Sequence, residues 1–255
     1  MIYHFNNSAI FYNIKGTGKP IVFLHGFLES STMWSPIVSD FNDYQVILID
    51  LPGHGKSDAI ANSHTMELQA EVIFTILEKE SINKATFVGH SMGGYVLLAI
   101  AEKYPEIISK LILLNSTSKL DNPKKKKNRS RAIEIIKRNK KAYVSMAISN
   151  LFSEENREKY RSEIEKQKDE ASTFSTEGII ASIKGLRDRI DRTTVLKDFA
   201  NEKYSIAGIE DVIIPIEDSR NIATTTNTTL FEVKTGHFSL LEKRKEIVKI
   251  LHFIV

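Results

Sequence analysis

Residues 89–94 read GHSMGG, a single serine hydroxyl set among three glycines. A serine hydroxyl is a weak nucleophile on its own. To attack an acyl carbonyl it needs a base to take its proton and donors to hold the oxyanion that forms. A candidate base is His237 in TGHF (235–238), and a candidate acid to orient it is Asp211 in GIED (208–211). Glu210 and Asp218 are competing acids nearby. Each residue also has a plainer reading: a turn serine, a surface histidine, a solvated loop aspartate. The chain order Ser91, Asp211, His237 favours the chemical one, because it is the order expected when G-x-S-x-G forms a strained strand-to-helix turn.

Such a turn needs a strand before it and a helix after it. ATFVGHS reads as a buried strand, and MGGYVLLAIAEKYP runs apolar until Pro105 stops it. Gly89 and Gly93 leave room where side chains would clash, so Ser91 projects from the strand tip towards the helix N-terminus. Met92 is then one candidate oxyanion donor through its backbone N–H. The second is the backbone N–H of Phe27, in the HGF that ends the strand PIVFLHG (20–26). Further strands are SAIFYNIKG, YQVILID, KLILLNS, YSIAGIED and TTLFEVKTGH, and IKGTGKP (14–20) reads as a hairpin turn. TMELQAEVIFTILEKE, capped by Thr65, and SLLEKRKEIVKILHF read as helices. Alternating strands and helices with fully apolar strands predict an α/β fold, a mostly parallel sheet with helices on both faces. Residues 118–195 show helical periodicity without a strand and read as a helical cap on a core of residues 1–117 and 196–255.

The 255 residues suit one large domain with an insertion; 42% are hydrophobic and 26% charged. There is no cysteine, which excludes disulfides and thiolate metal sites and fits a reducing, cytoplasmic setting. No signal peptide is expected, and no apolar run approaches the roughly 20 residues of a membrane span. Net charge is only +3, but KKKK at 124–127 is followed by Arg129, Arg131, Lys137, Arg138, Lys140 and Lys141. This basic run reads as a solvated cap face or as a dock for an acidic carrier such as acyl carrier protein. Without interleaved aromatics it does not read as a nucleic-acid site. His25, His54 and His90 each neighbour a glycine at a strand end, yet no HxH or HxxxH spacing holds them for a metal. His25 and His90 are retained as candidate pocket residues, while Asp50 and His54 read as loop braces. Trp34 either walls an acyl pocket or packs the start of a helix. One of Arg187, Arg189 and Arg192 is a candidate partner for a substrate carboxylate.

Together HGF, DLPGHGKSD (50–58), GHSMGG, GIEDVIIP and GHF resemble the α/β-hydrolase superfamily over residues 8–117 and about 196–255. Within it the chain looks most like small bacterial esterases and the biotin- and menaquinone-pathway hydrolases. The resemblance implies Ser91 as nucleophile, His237 as base, Asp211 as orienting acid, and Phe27 and Met92 as oxyanion donors. Haloalkane dehalogenases and epoxide hydrolases carry aspartate at the elbow, where this chain has serine. The strand KLILLNS ends at Asn115, so the acid is not expected there. The expected activity is hydrolysis of a small-molecule carboxylic ester, possible substrates including an ester on acyl carrier protein, with no cofactor, metal, nucleic acid or membrane. Alternatives are a menaquinone-pathway-like lyase, a C–C bond hydrolase, and a ligand sensor that retains the triad. Tyr95, after SMGG, stands where the lyase would need a basic residue.

Overall fold

In the computed structural model, the described residues are 1–255, the side chain of Glu154 excepted. Eight strands form one sheet: β1 (Ile2–Phe5), β2 (Ser8–Lys15), β3 (Lys19–Leu24), β4 (Tyr44–Ile49), β5 (Ala85–His90), β6 (Ile108–Leu114), β7 (Glu202–Gly208) and β8 (Thr229–Val233). Their spatial order is β1-β2-β4-β3-β5-β6-β7-β8. The β1–β2 and β2–β4 pairs are antiparallel and all others parallel. The helices are α1 (Ser35–Val38), α2 (Met66–Lys79), α3 (Met92–Lys103), α4 (Pro123–Ser149), α5 (Glu154–Lys159), α6 (Arg161–Thr173), α7 (Thr176–Asp188), α8 (Thr193–Asp198), α9 (Ile216–Thr226), α10 (Ser239–Glu242) and α11 (Arg244–Ile254). No helix among the described residues is long and apolar enough to cross a membrane.

The apolar strands are buried on both sides because successive side chains feed two cores. Val22, Leu24, Phe87 and Leu111 join α2 and α3 on one face; Ile21, Phe23, Val88 and Ile112 join Trp34 and α11 on the other. The chain lays down β3 and β4, then returns past β3 to start β5. The crevice at the C-terminal ends of β3 and β5 is therefore the switch point where open α/β sheets bind ligands.

Two readings are corrected. IKGTGKP is not a hairpin, because β4 lies between β2 and β3. A hairpin does occur one step earlier: Asn6 and Asn7, with φ of 48° and 68°, join β1 to β2. The last helix is two, α10 and α11, separated at Lys243 (φ −137°).

Helices α4–α8 fill the connection between β6 and β7. Ile133, Ile136, Val144, Ile148, Phe174 and Ile183 form a third apolar cluster, and it takes in Leu28 and Phe238 from the sheet side. Those two are the sequence neighbours of Phe27 and His237, so the insertion packs directly over the candidate site. Helix α4 breaks at Asn139 (φ −156°, ψ 83°), whose Oδ1 accepts the Ala142 N–H at 3.0 Å and restarts the helix. Helix α7 docks on the loop before α2. The His64 N–H donates to Ala181 O (3.0 Å), and its Nδ1 meets Ser182 Oγ at 3.1 Å. Burial lowers the His64 pKa to about 4, so the ring is neutral at physiological pH. A Cβ at Gly185 would lie 1.8 Å from His64 O. Gly185→Ala should therefore lower stability by about 1–3 kcal/mol despite its gain in helix propensity, read as a drop in Tm.

Candidate active site

Ser91 sits between β5 and α3 with φ 49° and ψ −112°, a conformation that non-glycine residues adopt only when their surroundings enforce it. The enforcement is visible. The Ser91 N–H donates to Leu114 O (3.1 Å), and its carbonyl accepts Ser116 Oγ–H (2.8 Å) and the Gly94 N–H (3.0 Å). A Cβ at Gly89 would meet Gly93 O at 2.6 Å, and one at Gly93 would meet Leu24 O at 2.3 Å. The glycines let the β5–α3 turn press against itself and against the end of β3.

Across from Ser91, His237 is 2% exposed. Its Nδ1 lies 2.8 Å from Asp211 Oδ2 and its Nε2 lies 3.0 Å from Ser91 Oγ. With the Nδ1–H donated to Asp211, Nε2 is left to accept the serine proton. Asp211 follows β7 and takes three further donors: the Ile213 and Ile214 N–H groups on Oδ1 (2.8 and 3.0 Å) and Asn115 Nδ2 on Oδ2 (3.1 Å). Burial pushes the Asp211 pKa up, but His237 and these hydrogen bonds outweigh it and hold the carboxyl below its ordinary value. Asn115 is itself held by Ser239 Oγ at 2.5 Å. The end of β6 thus supplies a donor to the acid rather than the acid itself. Glu210 is exposed, and Asp218 pairs with Lys119 at 2.9 Å; neither is joined to His237.

The turn after β3 brings Phe27 to the same cavity, and its next residue, Leu28, is left-handed (φ 61°). Met92 begins α3, where a backbone N–H has no partner within the helix. Behind this turn lie two buried histidines in opposite states. His25 Nε2 accepts the Leu51 N–H (2.8 Å), so its proton sits on Nδ1 and goes to Gly26 O (2.8 Å). The ring is neutral, and burial lowers its pKa. His90 faces acceptors on both sides, Glu29 Oε2 at 2.9 Å from Nδ1 and His237 O at 3.1 Å from Nε2. Both nitrogens must carry protons. Burial opposes that charge, yet Glu29 outweighs it and raises the His90 pKa. Glu29, also buried, stays ionised against His90 and the Gly26 N–H (2.6 Å), its pKa lowered although burial raises it.

A cavity of about 580 Å³ opens from Ser91 and His237 towards α4. Ile135, Met146 and Leu151 give it an apolar side, and Arg129 and Arg189 give it a charged one. Neither His25 nor His90 lines it, which corrects their reading as pocket residues: both are spent on backbone and on Glu29. Of the two readings of Trp34, the pocket one is overturned and packing at the start of α1 holds. Trp34 is fully buried with its ring 4.9 Å from Phe23, in the core on one face of the sheet. Asp50 braces loops by accepting the Ser31 and Lys56 N–H groups (2.7 and 2.8 Å). Sequence reasoning did not find Glu29, Asn115, Asp121 or Arg129. For Glu29 the available signal was an acid directly after the apolar Phe27 and Leu28.

The α/β hydrolase fold family model matches residues 19–244. The 2-hydroxy-6-oxononadienedioate/2-hydroxy-6-oxononatrienedioate hydrolase of Burkholderia vietnamiensis is 40% identical over 112 residues, 41% of this chain and 39% of that protein. The match thus spans about two fifths of that curated relative. Among solved structures, a thermophilic esterase from Thermogutta terrifontis with malate bound superposes with a TM-score of 0.90 at 28% identity, covering 96% of this chain and 92% of that one. An esterase from Exiguobacterium antarcticum gives 0.88 at 22%, covering 99% and 97%, a likeness of fold. With the family model spanning six of the eight strands and the insertion, the chain belongs to the α/β-hydrolase fold family.

Proposed function

We propose that this protein is a hydrolase that cleaves a carboxylic ester through an acyl-enzyme on Ser91. The observation that carries the reading is the continuous line of hydrogen bonds from Ser91 Oγ through His237 to Asp211 at the floor of the cavity. In this reading Ser91 Oγ attacks the acyl carbon as His237 Nε2 takes its proton. The backbone N–H groups of Phe27 and Met92 hold the oxyanion, with the N-terminal dipole of α3 behind it. Asp211 steadies the imidazolium. The alcohol leaves with the proton from His237, and water then releases the acid by the same steps in reverse. The likeness to the Thermogutta esterase supports this reading.

The exposed Lys124, Lys125 and Lys127 stand at the start of α4, and Lys125 borders the cavity. They favour a second source for the acyl group, an ester carried on acidic acyl carrier protein. The test is hydrolysis of p-nitrophenyl esters from acetate to decanoate, together with labelling by a fluorophosphonate. Turnover and one label per chain on Ser91 are expected. Label without turnover of these esters would move the reading to a carrier-bound ester or to C–C bond cleavage. Absence of both would remove Ser91 as nucleophile.

A further inference from the structure

The cavity that Ser91 lines also carries a charge that the described residues do not neutralise. Asp121, 1% exposed, is shared by two guanidinium groups: Arg129 Nε lies 3.0 Å from Oδ2, and Arg189 Nη2 lies 2.9 Å from Oδ1. Burial pushes the Asp121 pKa up, but the two cations outweigh it and hold the carboxyl ionised. One carboxylate between two guanidiniums leaves one positive charge over. The protein treats its other enclosed arginine differently, since Arg192 is paired with both Glu67 and Glu102. Among the described residues no second acid serves the pair on the cavity wall. Glu29, across the cavity, is already matched to His90, while Lys125 and Arg131 at the rim add positive charge.

The two arginines are not equivalent. Arg189 is fixed: Nη1 donates to Leu186 O (2.8 Å), Nε to Lys119 O (3.3 Å), and the group stacks 4.1 Å over the Tyr95 ring. Arg129 is tied to the protein through Nε alone among the described residues, and its Nη groups make no hydrogen bond to them in the cavity that Ser91 also lines. A guanidinium anchored at Nε, with its other edge open, is preorganised to take a carboxylate. The apolar side formed by Ile135, Met146 and Leu151 suits a hydrocarbon spacer between that carboxylate and the ester.

We propose that Arg129, held by Asp121 and backed by Arg189, binds a free carboxylate on the substrate, so that the preferred esters are half-esters of dicarboxylic acids. This rests on the ester reading above. The test compares monomethyl adipate and suberate with methyl hexanoate and octanoate by proton release. The half-esters should lead in kcat/KM by about 10- to 100-fold, mainly through KM. In the parent protein the lead should shrink as salt rises from about 0.05 to 0.5 M. Arg129→Met should erase it and Arg129→Lys should keep part of it. Equal turnover of neutral esters, or a lead that survives Arg129→Met, overturns the assignment. If no ester is turned over, the ester reading fails separately, and binding decides the subsite. Calorimetry on Ser91→Ala should then show adipate binding, no adipamide binding, and loss of adipate binding on adding Arg129→Met. Absence of adipate binding overturns it.

Discussion

Ser91→Ala should lower kcat on any ester the protein turns over by about 10⁶-fold, and Asp211→Asn by about 10⁴-fold, with KM little changed in either. The first removes the attacking atom. The second acts through a proton. Asp211 receives only donors: two backbone N–H groups on one oxygen, and Asn115 and His237 on the other. An asparagine must turn its NH₂ towards one of these pairs. Facing His237, it forces Nδ1 to accept and moves the ring proton to Nε2, where it meets Ser91 Oγ and leaves no base. Facing Ile213 and Ile214, it sets donor against donor in a buried site and loosens the loop that presents residue 211. Steady-state kinetics on both variants, with thermal unfolding to check the fold, decides the matter. Near-parental kcat in Asp211→Asn would remove Asp211 from the mechanism, and neither Glu210 nor Asp218 is placed to succeed it.

What the sequence displayed was local. The elbow is six consecutive residues whose glycines, strand and helix lie next to one another, so sterics alone point to Ser91. Asp211 and His237 follow strand ends, where side chains reach the switch-point crevice. The features that went unread depend on contacts between distant segments. Glu29 and His90 are far apart in sequence, and each looks unremarkable until the fold sets the ring between two acceptors. Asn115 was legible as a non-acid, but its donor role needs Asp211 beside it. Trp34 was carried away from the cavity because the 3₁₀ turn Ser31–Trp34 feeds it beneath Phe23. The IKGTGKP turn marks a reversal, yet no local signal says that β4 will insert between the strands it joins. The Asn6–Asn7 pair was a readable hairpin signal that went unused.

Glu29→Gln should destabilise the protein by about 3–5 kcal/mol, because it strips the counter-charge from a buried imidazolium. If His90 keeps its proton, the charge is unpaired in the core. If it loses the proton, one ring nitrogen turns a lone pair towards either residue 29 or the carbonyl of His237. That carbonyl belongs to the candidate base, and Glu29 also holds the Gly26 N–H in the turn that presents Phe27. The substitution should therefore lower kcat more than it raises KM. It should also change the pH dependence of stability in a definite direction. The raised His90 pKa contributes stability that is fully present below its ordinary value near 6.5 and is lost as pH rises through the folded value. The lowered Glu29 pKa contributes stability that is present above about 4.5 and is lost as pH falls through its folded value. The parent should hold its Tm between these limits and lose it on the alkaline side above the usual histidine range. In Glu29→Gln that alkaline loss should move to lower pH, since nothing then holds the proton on His90. Thermal unfolding of both proteins across pH, with His90→Gln and the Glu29→Gln/His90→Gln double variant completing the cycle, separates the pair from simple packing. Additive losses in the cycle and an unmoved alkaline limb would mean that the two residues do not act as an ion pair. A coupling of about 0.5–3 kcal/mol with a shifted limb would mean that this charge pair fixes the backbone of His237 and the Phe27 turn at once.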